Sequence, residues 1–426
     1  MNNNIGNIIK LKRKEKGLTQ EELSQEICTP SYLSRIENNQ VVPDESILDL
    51  LSKKLGISLT KKDTQDADSD VNRRLEDWHI KLLERKNYQE NVYELKNLID
   101  QTNNESNTVK FKIIHCRYLL MKGNIKKTTD ILRNLACILK PDYTRNYFLY
   151  VSVLMIYHHL KEEYDEAISA GLPLVKKKDL ESIASDYEIG MIYYNLALSY
   201  SKQHQTERCI HYSNIALSIF KDQYFLDRAI DCQLLLGISF NRLGFWEESK
   251  NAFLLSERLV TFLPVESQDH YTGIIQNNIG YSLECQGKYK LAISYYEKSL
   301  ELKRGSKLNT LINLVRSNYN VNDMIKAKEW LYLALDMVNS DSPKKYSIQL
   351  QTYHTIFKKE YTDIEEIIKM QQTCTDFFLN TQNWQLLYEY STLFATIYEK
   401  YNLYKRANSM YKLALKANDN KFSRRR

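Results

Sequence analysis

Eight side chains between Thr19 and Asn38 are candidates to bind phosphates and base edges: Thr19, Gln20, Thr29, Ser31, Tyr32, Ser34, Arg35 and Asn38. Hydroxyls and amides donate and accept, and a guanidinium holds several donors in one plane. A short helix exposing them can lie in a DNA major groove and reach backbone and bases. A pair of short helices must position them. Thr19 followed by Glu22 is a capping box that opens the first, with Leu23 and Ile27 as its apolar stripe. Thr29 is a second N-cap, and Pro30 suits the first helical position. Leu33 and Ile36 then turn the apolar side of the second helix inward and leave Ser31, Tyr32, Ser34 and Arg35 outside. An ordinary hairpin with a polar face is the competing reading; two caps, a tight turn and the SRIEN ending together favour DNA.

Residues 5 to 57 resemble the Xre/Cro-type helix-turn-helix through KGLTQEEL (16 to 23) and YLSRIENN (32 to 39). The stretch ICTPSYLSRIENN is closer still to the DNA-binding end of the RRNPP regulators, which are peptide-pheromone receptors. That subgroup has cysteine where the general pattern has glycine, and a turn one residue shorter, as Cys28 and Thr29-Pro30-Ser31 have here. The resemblance implies that Arg13 and Glu37 form a structural ion pair and do not read bases. Lys12 departs from the pattern by standing where leucine is usual.

The chain has 426 residues with only 12 glycines and 6 prolines but 31 tyrosines. Few turn formers and many amphipathic segments indicate an all-α protein, with room for a small domain and a long array. No run of about 18 uncharged apolar residues occurs, and the N-terminus MNNNIGNIIKLKRKEKG lacks a secretory core, so a cytoplasmic location is expected. The seven cysteines (28, 116, 137, 209, 232, 285 and 374) form no CxxC pair and read as reduced, mostly buried thiols. HExxH, P-loop, GxGxxG and GxSxG patterns do not occur. His158-His159, being adjacent, would point about 100° apart on a helix, which does not suit a paired zinc site. No enzymatic activity, cofactor or metal is expected.

Net charge is +6, yet residues 1 to 60 hold eight Lys/Arg and eight Asp/Glu, so this region is neutral overall. Five of those cations lie within Lys10 to Lys16, where they supply phosphate contacts or form a solvated face. A neutral module this small is expected to hold an operator as a homodimer or higher homo-oligomer on two half-sites.

Farther on, Pro43 and Asp44 open a helix with Ile47, Leu50, Leu51 and Leu55 on its apolar side, ended by Gly56. Thr60 to Asn72 is rich in aspartate and has only Ala67 and Val71 as apolar residues, which reads as a flexible or loosely helical linker. The expected division is a DNA-binding head at 1–59, a linker at 60–72, a repeat domain at 73–418 and a basic tail at 419–426.

In the repeat domain, Ile274 to Leu302 resembles a tetratricopeptide repeat: Gly280 in the first helix, Gly287 at the turn, then Tyr289, Ala292, Tyr296 and Ser299. With Ala292 as marker, equivalent positions fall at Asn91, Thr128, Ala167, Cys209, Ser249, Ala327, Ile367 and Ala407, spaced 35 to 43 residues apart. That gives about nine helical hairpins, somewhat longer than the usual repeat of about 34 residues. The resemblance implies a right-handed superhelix whose first helices line a concave groove suited to an extended peptide. Fourteen residues before three markers stand Asn195, Asn278 and Asn313, at a position that in such repeats faces the groove. An asparagine amide can pair with the N–H and C=O of one peptide residue and so hold a backbone without reading its side chains. Chance recurrence in an asparagine-rich chain competes with this. Arg242 and Arg316 fall on turns nearby and either take a peptide carboxylate or form ion pairs between repeats.

The RRNPP resemblance implies a quorum-sensing transcription regulator that binds double-stranded operator DNA and is switched by a short signalling oligopeptide. Two alternatives stand beside it. Related Rap-type proteins bind a phosphorelay response regulator through the array, for which Glu76, Gln89 and Glu90 are candidate contacts. A plain scaffold whose head no longer reads DNA is the other.

Overall fold

The structure, a computed structural model, describes residues 5–56, 61–84, 90–102, 104–141, 144–177, 179–339, 342–358 and 364–423. Thr60, Gln89 and the last three residues of the basic tail lie outside them. Among the described residues all regular structure is helical, and the chain divides into two units, 1–157 and 158–426.

In the first unit the helix starts follow the local chemistry. After α1 (Ile5–Glu15), α2 (Gln20–Ser24) opens at Thr19: the Thr19 hydroxyl accepts the Glu22 N–H at 3.1 Å, and the Glu22 carboxylate accepts the Thr19 N–H at 2.7 Å. α3 (Pro30–Glu37) opens at Thr29, whose hydroxyl accepts the Tyr32 N–H, with Pro30 in the first turn. α4 (Glu45–Leu55) is capped by Asp44 and ends at Gly56, whose φ of +62° only glycine adopts freely. These four helices share a core of Ile9, Leu23, Leu33, Ile36, Leu48, Leu51 and Leu55. Leu50, expected in that core, is 44% exposed, and Leu48 takes the inward place. The reason is register: 48, 51 and 55 follow the i, i+3, i+7 spacing of one helix face, and 50 does not.

α5 (Lys61–Glu84) takes helical form from Lys61 onward, through the stretch expected as a linker. Its buried residues Val71, Leu75, Trp78 and Leu82 supply a strong stripe, and a helix nucleated there extends at one hydrogen bond per added residue. α6 (Val92–Thr102) and α7 (Glu105–Met121) pack on that stripe through Leu95, Ile99, Phe111 and Ile114. α8 (Ile125–Ile138) pairs with α7, and α9 (Arg145–Leu160) follows.

The second unit continues with α10 (Tyr164–Val175) and then six successive helix pairs. These are α11 (Asp186–Lys202) with α12 (Thr206–Asp222), α13 (Leu226–Leu243) with α14 (Trp246–Val260), and α15 (Val265–Cys285) with α16 (Tyr289–Leu302). α17 (Leu308–Asn320) with α18 (Met324–Asp336), α19 (Lys344–Phe357) with α20 (Ile364–Asn380), and α21 (Trp384–Lys400) with α22 (Tyr404–Ser423) complete the series. α22 takes in the start of the expected tail. Partner helices cross closely: a methyl group on Gly237 would lie 2.4 Å from the Phe253 ring, and one on Gly280 would lie 2.8 Å from the Tyr296 ring. Thr128, Ala167, Cys209, Ser249, Ala292, Ala327, Ile367 and Ala407 are all buried, as close-packed repeat positions must be. Asn91 departs from the pattern. It is exposed and precedes α6, where its side-chain oxygen accepts the Glu94 N–H, so capping rather than helix crossing fixes that residue.

Candidate functional site

α3, about 12 Å long, carries Ser31 and Arg35 four residues apart on one face. Both are exposed, and neither side chain has a protein partner among the described residues. Asn38, at the end of the helix, is exposed and its side-chain oxygen accepts the Lys10 ammonium at 3.4 Å. Tyr32 and Ser34 are half-buried, Tyr32 against the head's core. Thr19 and Thr29 are exposed, each with its hydroxyl holding a helix start.

Gln20 has a different duty. Its amide donates to Glu37 Oε2 at 2.8 Å, joining a bidentate pair in which Arg13 Nε and Nη2 donate to Glu37 at 2.6 and 2.9 Å. Arg13 Nη1 also donates to the Leu18 carbonyl at 2.9 Å. Burial by itself would raise the Glu37 carboxyl; hydrogen bonds from Arg13 and Gln20, with the charges of Arg13 and Lys10, hold it below the usual carboxylate range. This buried knot ties α1 and the start of α2 to the end of α3 and thereby fixes how α3 is presented. Of the five cations crowded into Lys10 to Lys16, Arg13 is thus structural.

In the second unit the five residues singled out for a ligand all fall on first helices: Asn195 on α11, Arg242 on α13, Asn278 on α15, and Asn313 and Arg316 on α17. They are unequally available. Asn195 is half-buried and its amide has no protein partner among the described residues. Asn278 donates to the Ile274 carbonyl of its own helix at 2.9 Å and keeps its oxygen. Asn313 is buried and used at both ends: its amide nitrogen donates to Asn277 Oδ1 at 3.4 Å, and its oxygen accepts Arg316 Nη2 at 3.0 Å.

Arg316 is the hub of a closed network. Nε and Nη2 donate to Glu284 at 2.5 and 2.9 Å, and Nη1 donates to Glu389 at 3.2 Å. Glu284 also accepts the Tyr296 hydroxyl at 2.6 Å; Glu389 accepts the Tyr281 hydroxyl at 3.0 Å and the Gln385 amide at 2.6 Å. Burial would lower the Arg316 guanidinium, but the two carboxylates hold it well above its ordinary value. Glu389 lies on α21 and Tyr281 on α15, three pairs earlier, so within this unit the first helices curve until distant ones touch. Arg242 is placed otherwise: Nη1 donates to the Ser201 carbonyl and hydroxyl at 2.7 and 2.9 Å, and no carboxylate pairs with it among the described residues.

A helix-turn-helix family, HTH_3, matches residues 9–62. The transcriptional activator NprA of Geobacillus stearothermophilus is 28% identical over 401 residues, covering 91% of this chain and 97% of NprA. The likeness thus runs through nearly the whole of both chains. Several solved structures share the fold at low identity. The apo quorum sensor NprR from B. thuringiensis matches with a TM-score of 0.65 at 18% identity, over 82% of this chain and 99% of that one. A Rap protein complexed with Competence and Sporulation Factor matches with a TM-score of 0.65 at 16% identity, over 84% and 99%. NprR in complex with its cognate peptide NprX matches with a TM-score of 0.60 at 20% identity, over 82% and 97%.

Glu76 and Glu90, the carboxylates considered for a response regulator, are already engaged. Glu76 accepts Lys110 at 2.6 Å and Arg145 at 2.8 Å, and Glu90 accepts Arg74 at 2.7 Å. Sequence reasoning missed Glu284, Glu389 and Tyr281, whose partners lie dozens of residues away. It also missed Lys202, though a signal existed: Lys202 stands seven residues before marker Cys209, as Arg242 stands seven before Ser249. Among the described residues no helix is long and apolar enough to cross a membrane, and no group of side chains is suited to hold a metal ion.

Proposed function

We propose that this chain is a cytoplasmic transcription regulator that binds operator DNA with α2 and α3, and that a short oligopeptide laid along the first helices of the second unit switches that binding. The observation that carries the reading is the extent of the likeness to a transcriptional activator, which runs through head and array alike. NprR, of the same fold, has been solved with a cognate peptide. On the head, Ser31, Arg35 and Asn38 reach bases and phosphates, flanked by Tyr32 and Ser34, while Thr19, Thr29 and Gln20 preset the two helices. On the array, Asn195 and Asn278 hold the peptide backbone and Arg242 anchors its charge, with Asn313 and Arg316 as the braced wall behind them. The neutral head works as a homodimer or higher homo-oligomer on paired half-sites.

Fluorescence anisotropy of a labelled operator fragment, with and without peptides from spent growth medium, tests the reading. Arg35→Ala should weaken operator binding about 10- to 100-fold, the cost of one good base contact. Asn195→Ala combined with Asn278→Ala should abolish the peptide response and leave peptide-free operator binding as it was. A double variant that still responds fully would overturn the groove assignment.

A further inference from the structure

The two arginines on the first helices meet opposite fates. Arg316 is answered by two carboxylates of the chain itself. Arg242, next to last on α13, finds only the neutral oxygens of Ser201. Lys202 follows Ser201 at the end of α11, and Lys345 stands in the first turn of α19. Burial, then the charges of Lys345 and Arg242, push the Lys202 ammonium down, with Glu162 as the opposing charge. Burial likewise pushes the Arg242 guanidinium down. Three cations from three helices therefore share one neighbourhood, and none of them forms an ion pair among the described residues. α19 begins with Lys344-Lys345, no acid in its first turn and no side-chain cap, so its positive end adds to the excess instead of offsetting it. Lys202 is exposed and Arg242 and Lys345 are half-buried, so all three remain open to a ligand, and an incoming anion offsets their mutual repulsion.

We propose that Lys202, Arg242 and Lys345 form an anion subsite that takes a carboxylate of the bound oligopeptide, so that the ligand sensed by this chain is an acidic peptide. The proposal rests on the peptide reading above and narrows it. Arg316 cannot serve in the same way without first giving up Glu389. The carboxylate comes from an Asp or Glu side chain or from the peptide's C-terminus, and the two sources are separable.

The full chain is equilibrated with three mixed-sequence synthetic heptapeptide pools, and retained peptides are counted by mass spectrometry after gel filtration. One pool contains Asp or Glu with free C-termini, the second has the same sequences amidated, and the third has Asn or Gln and is amidated. The first pool should be retained at least about 10-fold more than the third, the worth of one charge-assisted hydrogen bond. Retention of the second with the first assigns a side-chain carboxylate, and its fall to the level of the third assigns the terminus. Arg242→Gln should erase the preference, and Lys345→Gln should reduce it by a smaller factor, both with unchanged circular dichroism. Should Arg242→Gln unfold, Lys345→Gln in the first turn of its helix decides alone. Equal retention of all pools, or a preference that survives both substitutions, overturns the subsite and leaves the peptide reading standing. Retention of no pool at all overturns the peptide reading itself.

Discussion

Glu37 is fully buried, and its two oxygens are met by Arg13 and Gln20 from other parts of the head. Because its folded pKa lies below the unfolded value of about 4.3, the pair contributes stability above that pH and loses it as pH falls through the folded value. Acid titration followed by circular dichroism should show the head losing structure only once the pH has fallen below the usual carboxylate range. Glu37→Gln should cost about 3–5 kcal/mol at neutral pH by stranding Arg13, and should blunt the remaining acid sensitivity. At this scale legibility tracked distance along the chain. The caps at Thr19 and Thr29 were legible because each partner lies three residues away. Gln20's partner is 17 residues distant and Arg316's Glu389 is 73 distant, so neither partner could be named from the sequence.

Helices α13 and α14 approach so closely that Phe253 lies against the bare Cα of Gly237. Gly237→Ala should cost about 1–3 kcal/mol by overpacking, and Phe253→Leu in the same chain should recover part of that loss. Urea denaturation of the two variants and their combination checks it. Gly287 offers a contrast: its surroundings are open, and its φ of +73° makes any side chain there a backbone problem only. The helices themselves were legible from apolar spacing and repeat period, since both are local regularities. Misjudged was a place where two local signals compete, Leu50 against Leu48.

For the whole molecule, a head with balanced charge implies that phosphate contacts come from a few lysines rather than from a general positive field. Lys14 is exposed on α1 beside the Arg13 knot. Lys14→Ala should weaken operator binding evenly across sequences and flatten the slope of log affinity against log salt by about 1 per head. A titration in potassium chloride reads both effects. The fold class was visible in the order of motifs, capped helices first and repeats after. Not visible was which groups the second unit keeps for itself, because that depends on curvature that no single repeat encodes.

Stacked repeats are ordinarily stabilised by neighbours alone, but Tyr281 and Arg316 lean on a carboxylate that arrives 108 and 73 residues later. A ribosome that has finished α17 has therefore made a hairpin that is still waiting for Glu389, and a premature stop in the last hairpin would injure the middle of the protein as well as its end.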